Sequence, residues 1–148
     1  NHIKDYDPIS HKNTKNTYYG SGGILACIED YDPITNKLIK ETYYSRSKGS
    51  IRRIKDYHPQ TGNRTKTTTY NLDDTINYIN EYNPQNNHYT KQTSYHPNGS
   101  LHYIADFDSL GKYNGTRYPS NISIEEKITA EKTRQLALQE YHSTQNKK

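Results

Sequence analysis

The chain has no Trp, Met or Val, one Phe and one Cys, and only 29% of its 148 residues are apolar even with Tyr counted among them. Each absence excludes something. A single Cys, Cys27, rules out an intrachain disulfide framework, and its place between Ala26 and Ile28 reads as a small half-buried strand residue, not a reactive thiol. The longest apolar run is Ile24 to Ile28, so no segment reads as a membrane-spanning helix or as the core of a signal peptide. Because the chain begins at Asn1 and lacks Met, a processed or recombinant product is expected, which leaves open whether a signal peptide was removed. With so few aliphatic side chains a deep oily centre cannot form. The sixteen Tyr must supply most of the buried area while their hydroxyls stay wet or hydrogen-bonded, and a thin structure follows.

Ile, Lys, Asn and Tyr account for 59 residues, and their A- and T-rich codons assign part of this bias to a low-GC genome. The fourteen Ile and sixteen Tyr nevertheless recur at fixed positions, unlike the composition of disordered chains. The formal charge of +4 permits an acidic partner without requiring one.

What is present is a repeat. Units begin at Ile3, Ile28, Ile54, Ile79 and Ile104 with IKDYDP, IEDYDP, IKDYHP, INEYNP and IADFDS, dividing the chain into 3–27, 28–53, 54–78, 79–103 and a partial copy, 104–118. A module this short buries its apolar surface only against its neighbours. Within each unit a strand ends at a Pro-containing turn, as in DPITNK at 32–37 and HPQTGN at 58–63. The returning strand carries Lys, Thr and Tyr at alternate positions: Lys15, Thr17, Tyr19; Lys40, Thr42, Tyr44; Lys66, Thr68, Tyr70; Lys91, Thr93, Tyr95. That spacing puts all three on one sheet face. After a second, variable turn the next strand places Ile76, Tyr78, Asn80 and Tyr82 on one face and Asn77, Ile79 and Glu81 on the other. The expected fold is mainly β: an antiparallel meander of repeated β-hairpins, about nine or ten strands in a single-layer or rolled sheet, with a C-terminal α-helix.

The helix is predicted over 121–142, about 18 residues long, because Ser123 and Glu126 form a capping box and the segment after them has no Gly or Pro. Its apolar groups split into one stripe of Ile124, Ile128 and Leu138 and another of Ala130, Ala137 and Tyr141. It either caps the sheet or meets a partner; residues 143–148 are expected as a disordered tail.

Catalytic and metal residues are absent from this reading. The seven His keep no ligand spacing, and His58 takes the turn position held by Asp7, Asp32 and Asp108 in sister copies. Adjacent acids at 29/30 and 73/74 point apart on a strand or lie in a turn, a poor general acid and base pair. No phosphate loop, nucleophile elbow or dinucleotide fingerprint occurs, so neither an enzyme nor a cofactor is expected. Two features suit binding: the row of Tyr44, Tyr70 and Tyr95, and the basic cluster of Arg46, Lys48, Arg52, Arg53 and Lys55 around the one turn that carries an insertion.

The unit I-K-E/D-Y-D-P-x-T-G-K-x-I-K-x-T-x-Y followed by a D-G or N-G turn resembles the DUF2963 repeat of phytoplasma proteins; IEDYDPITNKLIKETYY at 28–44 and TSYHPNGSLHYIADFD at 93–108 carry the likeness, which spans 3–118. The hairpin is also similar to MORN-type and YwqK-like repeats. The resemblance implies no activity and no functional residues, only a bacterial host whose secreted proteins enter plant cells. The expectation is a non-enzymatic protein-binding or scaffold module, secreted or host-cell-directed, with a partner from a plant host. The alternatives are a carbohydrate-binding module using the Tyr rows and, third, nucleic-acid binding through 46–55.

Overall fold

The structure, a computed structural model, describes residues 1–146, so the last two residues of the expected 143–148 tail lie outside the described residues. Ten strands follow one another: β1 (His2–Tyr6), β2 (Asn13–Tyr19), β3 (Leu25–Tyr31), β4 (Leu38–Tyr44), β5 (Ile51–Tyr57), β6 (Arg64–Tyr70), β7 (Ile76–Tyr82), β8 (Tyr89–Tyr95), β9 (Leu101–Phe107) and β10 (Tyr113–Arg117). They form one open sheet in chain order, each strand antiparallel to the next, and α1 (Ile124–Gln145) follows. The fold is the expected meander with a C-terminal helix.

Turn chemistry explains the hairpins. Asp7 and Asp32 accept backbone N–H bonds from the residues two and three positions on, and His58 Nδ1 does the same for Gln60 and Thr61. Later in these turns Asn36 and Gly62 adopt φ of 58° and 76°, a left-handed conformation that Asn and Gly tolerate. At the other end of each hairpin the register slips by one residue. Tyr43 faces Arg53 but Tyr44 faces Ile51; Thr69 faces Tyr78 but Tyr70 faces Ile76. The slip corrects the expected facing of Ile76: the extra residue turns it away from Tyr78 and onto the face of Ile79, where it is buried.

Two ladders cross the sheet on that face. Ile3, Thr17, Ile28, Thr42, Ile54, Thr68, Ile79, Thr93 and Ile104 stand opposite one another in sequence, strand by strand, and the last position, on β10, is Arg117. Beside them Asp5, Lys15, Asp30, Lys40, Asp56, Lys66, Glu81, Lys91 and Asp106 alternate in charge. Asp56 Oδ1 and Oδ2 lie 3.9 Å and 3.7 Å from the Lys40 and Lys66 ammonium groups, and Glu81 lies 3.2 Å from Lys91. Cross-strand pairs of this kind contribute roughly 0.2–1 kcal/mol each.

The helix runs along these ladders, from β10 toward β4. Tyr95 Oη donates to the Ala130 carbonyl at 2.8 Å and Tyr70 Oη to the Ala137 carbonyl at 3.0 Å. Seven residues of helix rise about 10.5 Å and two strand spacings measure about 9.6 Å, so one heptad of α1 matches one repeat of the sheet. Arg117 on β10 pairs with Glu126 near the start of α1, and Lys40 on β4 with Glu140 near its end. The capping box of Ser123 and Glu126 is present. Of the two apolar stripes, Ala130, Ala137 and Tyr141 form the seat, while Ile124 and Ile128 stay exposed. Small Ala side chains bring the helix close enough for the Tyr hydroxyls to reach its carbonyls.

The helix has 22 residues, more than expected, because it continues through residues 143–145; this corrects the start of the expected disordered tail. Gln145 is held by a bond from its side-chain amide to Tyr141 Oη. Its length is about 33 Å against about 43 Å for ten strands, so α1 covers β4 to β10 and leaves β1 to β3 bare. Ile54 and Ile79 are 0% and 1% exposed, whereas Ile3, at the same repeat position, is 53% exposed.

Candidate open-face binding surface

Tyr44, Tyr70 and Tyr95 lie on the helix side at 6%, 1% and 4% exposure. The expectation that this row forms a ligand surface is therefore corrected: the rings are core, and the hydroxyls of Tyr70 and Tyr95 are spent on the chain's own helix. Burial pushes the Tyr44 hydroxyl up to about 12.

Among the described residues nothing forms a second layer on the opposite face, and a different set of rings lies there. Tyr82 on β7 and Tyr89 on β8 have ring centroids 4.7 Å apart, Phe107 on β9 is 5.3 Å from Tyr89, and Tyr113 on β10 is 6.1 Å from Phe107. The Arg64 guanidinium on β6 continues the run, 5.2 Å from the Tyr82 centroid. Cation and rings thus form one continuous row over five strands, stacked at Tyr89–Phe107 and edge-on at Phe107–Tyr113, built from the strand ends beside the Pro turns.

Toward β1 the rings gather around carboxylates. Glu29 Oε2 accepts from Tyr31 Oη at 2.7 Å, Tyr18 Oη at 2.9 Å and Asn16 Nδ2 at 3.0 Å. Burial works to raise this carboxyl, but the donors from Tyr31, Asn16 and Tyr18 outweigh it and hold it below the ordinary value. Glu41, directly opposite Glu29, accepts from Tyr43 and Tyr57 and lies 3.6 Å from the Lys55 ammonium. Cys27 stands half-buried beside them between Tyr18 and Tyr43; burial, then the charges of Glu41 and Glu29, push its thiol up to about 12.

The basic cluster divides. Arg46 and Lys48 sit exposed in the β4–β5 turn, where Lys48 Nζ donates to the Leu72 carbonyl of the next turn. Arg52, Arg53 and Lys55 come together with Tyr43 and Thr69 around an open concavity of about 260 Å³. Lys55 stands over the Tyr43 ring at 4.8 Å, and Arg53 is exposed in mid-face. Among the described residues the guanidinium groups of Arg52 and Arg53 make no ion pair or hydrogen bond. The open-face rings do have a sequence signal: in the doublets Tyr18–Tyr19 and Tyr43–Tyr44, strand neighbours point to opposite faces, so one ring of each must lie away from the Lys-x-Thr-x-Tyr row.

Among the described residues no group of three or more His, Cys, Asp or Glu is placed to hold a metal ion, and no helix is long and apolar enough to cross a membrane.

Comparison with known proteins places the sheet but not its role. A crystal structure of an S. aureus TarM mutant in complex with Fondaparinux, alpha-GlcNAc-glycerol and UDP matches 80% of this chain with a TM-score of 0.51 at 9% identity. A second crystal structure of TarM matches 80% with a TM-score of 0.50 at 10% identity. The chain spans 21% of each TarM chain, and at these identities the likeness is one of fold alone. A GtfA/B complex matches 72% of the chain and 20% of its own, with a TM-score of 0.49 at 13% identity. No curated protein matches the sequence. The profile described as "Protein of unknown function (DUF2963)" matches residues 1–43, 43–93 and 70–118, so the chain belongs to the DUF2963 family.

Proposed function

We propose that the chain is a non-enzymatic binding module whose open face receives a protein partner. One observation carries this: the row of Arg64, Tyr82, Tyr89 and Phe107 lies on a face that no part of the described chain covers, and the unpaired Arg53 lies in mid-face on the same side. Tyr and Arg are the side chains that dominate interface cores, and they supply broad contact area at low entropic cost. An open face about 43 Å across is wide enough for the roughly 800 Å² that each partner buries in a standard complex. The concavity on this face is open, whereas a small substrate needs a site that surrounds most of its surface, which favours a protein. The host-directed reading, a secreted bacterial protein acting on a plant protein, rests on the family resemblance and belongs to the same proposal.

The test is an affinity measurement on the partner isolated with the wild-type chain. Tyr82→Ala combined with Arg53→Glu is expected to weaken binding by at least about tenfold with an unchanged unfolding midpoint. Tyr95→Phe on the covered face should lower the midpoint and leave affinity alone. Unchanged affinity in the open-face variant overturns the proposal. So does displacement of the partner by a simple glycan that quenches tyrosine fluorescence, since the carbohydrate reading then takes its place.

A further inference from the structure

The bulges that recur between one repeat and the next are alike in backbone but not in charge. At the β4–β5 bulge Tyr43 faces Arg53 and Tyr44 faces Ile51, so Arg52 is the extra residue. The sister bulges carry Ala26 with Cys27, Asn77 with Tyr78, and His102 with Tyr103. Of the four, the β4–β5 bulge alone joins two guanidinium groups.

Both line the open concavity of about 260 Å³, together with Lys55, Tyr43 and Thr69. Lys55 lies 3.6 Å from Glu41, so one acid offsets that cation. Among the described residues nothing offsets Arg52 and Arg53, whose guanidinium groups make no ion pair or hydrogen bond. The Thr69 hydroxyl, on the residue opposite Arg53, is screened from solvent and has no hydrogen-bond partner either. Buried polar groups are ordinarily partnered, so this wall holds unmet hydrogen-bonding capacity beside unmet charge.

The chemistry of these groups selects a ligand. A guanidinium fork pairs best with two oxygens of one anion, which a single carboxylate supplies to a single fork. Two forks on adjacent residues call for a group with more terminal oxygens. A phosphate monoester has three, and its charge of about −1.5 to −2 at neutral pH matches the two cations left uncompensated. The phosphodiester of a nucleic-acid backbone brings a single charge and fits the pair less well.

We propose that the β4–β5 bulge binds a phosphorylated side chain of the protein partner, with Arg52 and Arg53 as the two forks and Lys55 beside them. The inference rests on the open face being a protein-docking surface, and it names the chemistry by which a partner is recognised there.

The probe is a short Gly/Ser peptide with one central phosphoserine, titrated into the isotope-labelled full chain and followed by NMR. Saturating shifts are expected at the side-chain N–H groups of Arg52 and Arg53 and at the Thr69 amide. Arg52→Ala should weaken binding at least about tenfold, and Arg52→Lys, which keeps the charge but loses the fork, should weaken it too. Neither change removes an intramolecular partner, so an unaltered urea midpoint separates lost binding from lost folding. The proposal is overturned by absence of saturable shifts at this pair, by unchanged affinity in Arg52→Lys, or by equal binding of the peptide with Ser or Asp in place of phosphoserine. A single-stranded oligonucleotide that shifts the same residues at lower concentration overturns it in favour of nucleic acid. Phosphatase treatment of the partner isolated with the wild-type chain separates this inference from the docking reading. Affinity that survives the treatment but falls with Tyr82→Ala removes the phosphate site and leaves the docking face standing.

Discussion

The covered and open faces of this sheet are made by the same strands, residue alternating with residue, yet they use their tyrosines in opposite ways. Under the helix Tyr70 and Tyr95 are buried and their hydroxyls end on helix carbonyls. On the open face the Tyr18 and Tyr31 hydroxyls end on a carboxylate, and Tyr82, Tyr89 and Phe107 lie against one another. One amphipathic side chain therefore serves as core filler or as display, according to whether a second layer reaches it. The aliphatic residues follow that layer: Ile54, Ile76, Ile79 and Ile104 are all on the covered side.

The sharpest test of this difference uses two neighbours in β7. Ile79→Ala empties a fully buried site and is expected to lower stability by about 2–5 kcal/mol. Tyr78→Ala removes a larger side chain that is only half-buried, and the smaller loss is expected there. Urea unfolding of both variants gives the order. Equal losses would mean that the open face is a core in its own right.

A finer cut removes one oxygen from each face. Tyr95→Phe deletes the donor to the Ala130 carbonyl and should cost about 1 kcal/mol, with faster amide exchange in the first half of α1. Tyr103→Phe deletes the donor to Gln92 Oε1 on the open face, where water can replace it, and a change near zero is expected. Should the two cost the same, the helix owes nothing to its tyrosine hydroxyls.

How much of this could be read beforehand follows from the physics of each element. The repeat starts, the Pro turns and the capping box are local, so periodicity and turn chemistry revealed them; even His58 was legible as a turn residue from the positions of Asp7 and Asp32. The face that the helix covers was not legible. Period-two alternation gives Tyr43 and Tyr44 equal standing, and α1 seats itself on Ala130, Ala137 and Tyr141, too slight a stripe to announce a docking face. Ile76 was misplaced because a one-residue bulge leaves no mark in the alternation pattern. Of the basic cluster, Arg52, Arg53 and Lys55 do converge, whereas Arg46 and Lys48 belong to a turn.

A further comparison distinguishes the faces by pH. Glu29 sits among three donors that hold its carboxyl below the ordinary 4.5, despite burial acting the other way. A group depressed in the folded state stabilises the fold fully above its unfolded value, and that stability is lost as the pH falls through the folded value. Glu29→Gln is therefore expected to cost about 1 kcal/mol at pH 7, with the gap to wild type closing below pH 4.5. Asp56 on the covered side runs the other way: burial raises its carboxyl, only partly opposed by Lys66 and Lys40 with Glu140 adding to the rise, so acid relieves it. Urea midpoints of wild type and Glu29→Gln at pH 7 and at about pH 3 decide the matter. A gap of the same size at both would assign Glu29 a packing role and leave the tyrosine hydroxyls of the open face without the charge they are aimed at.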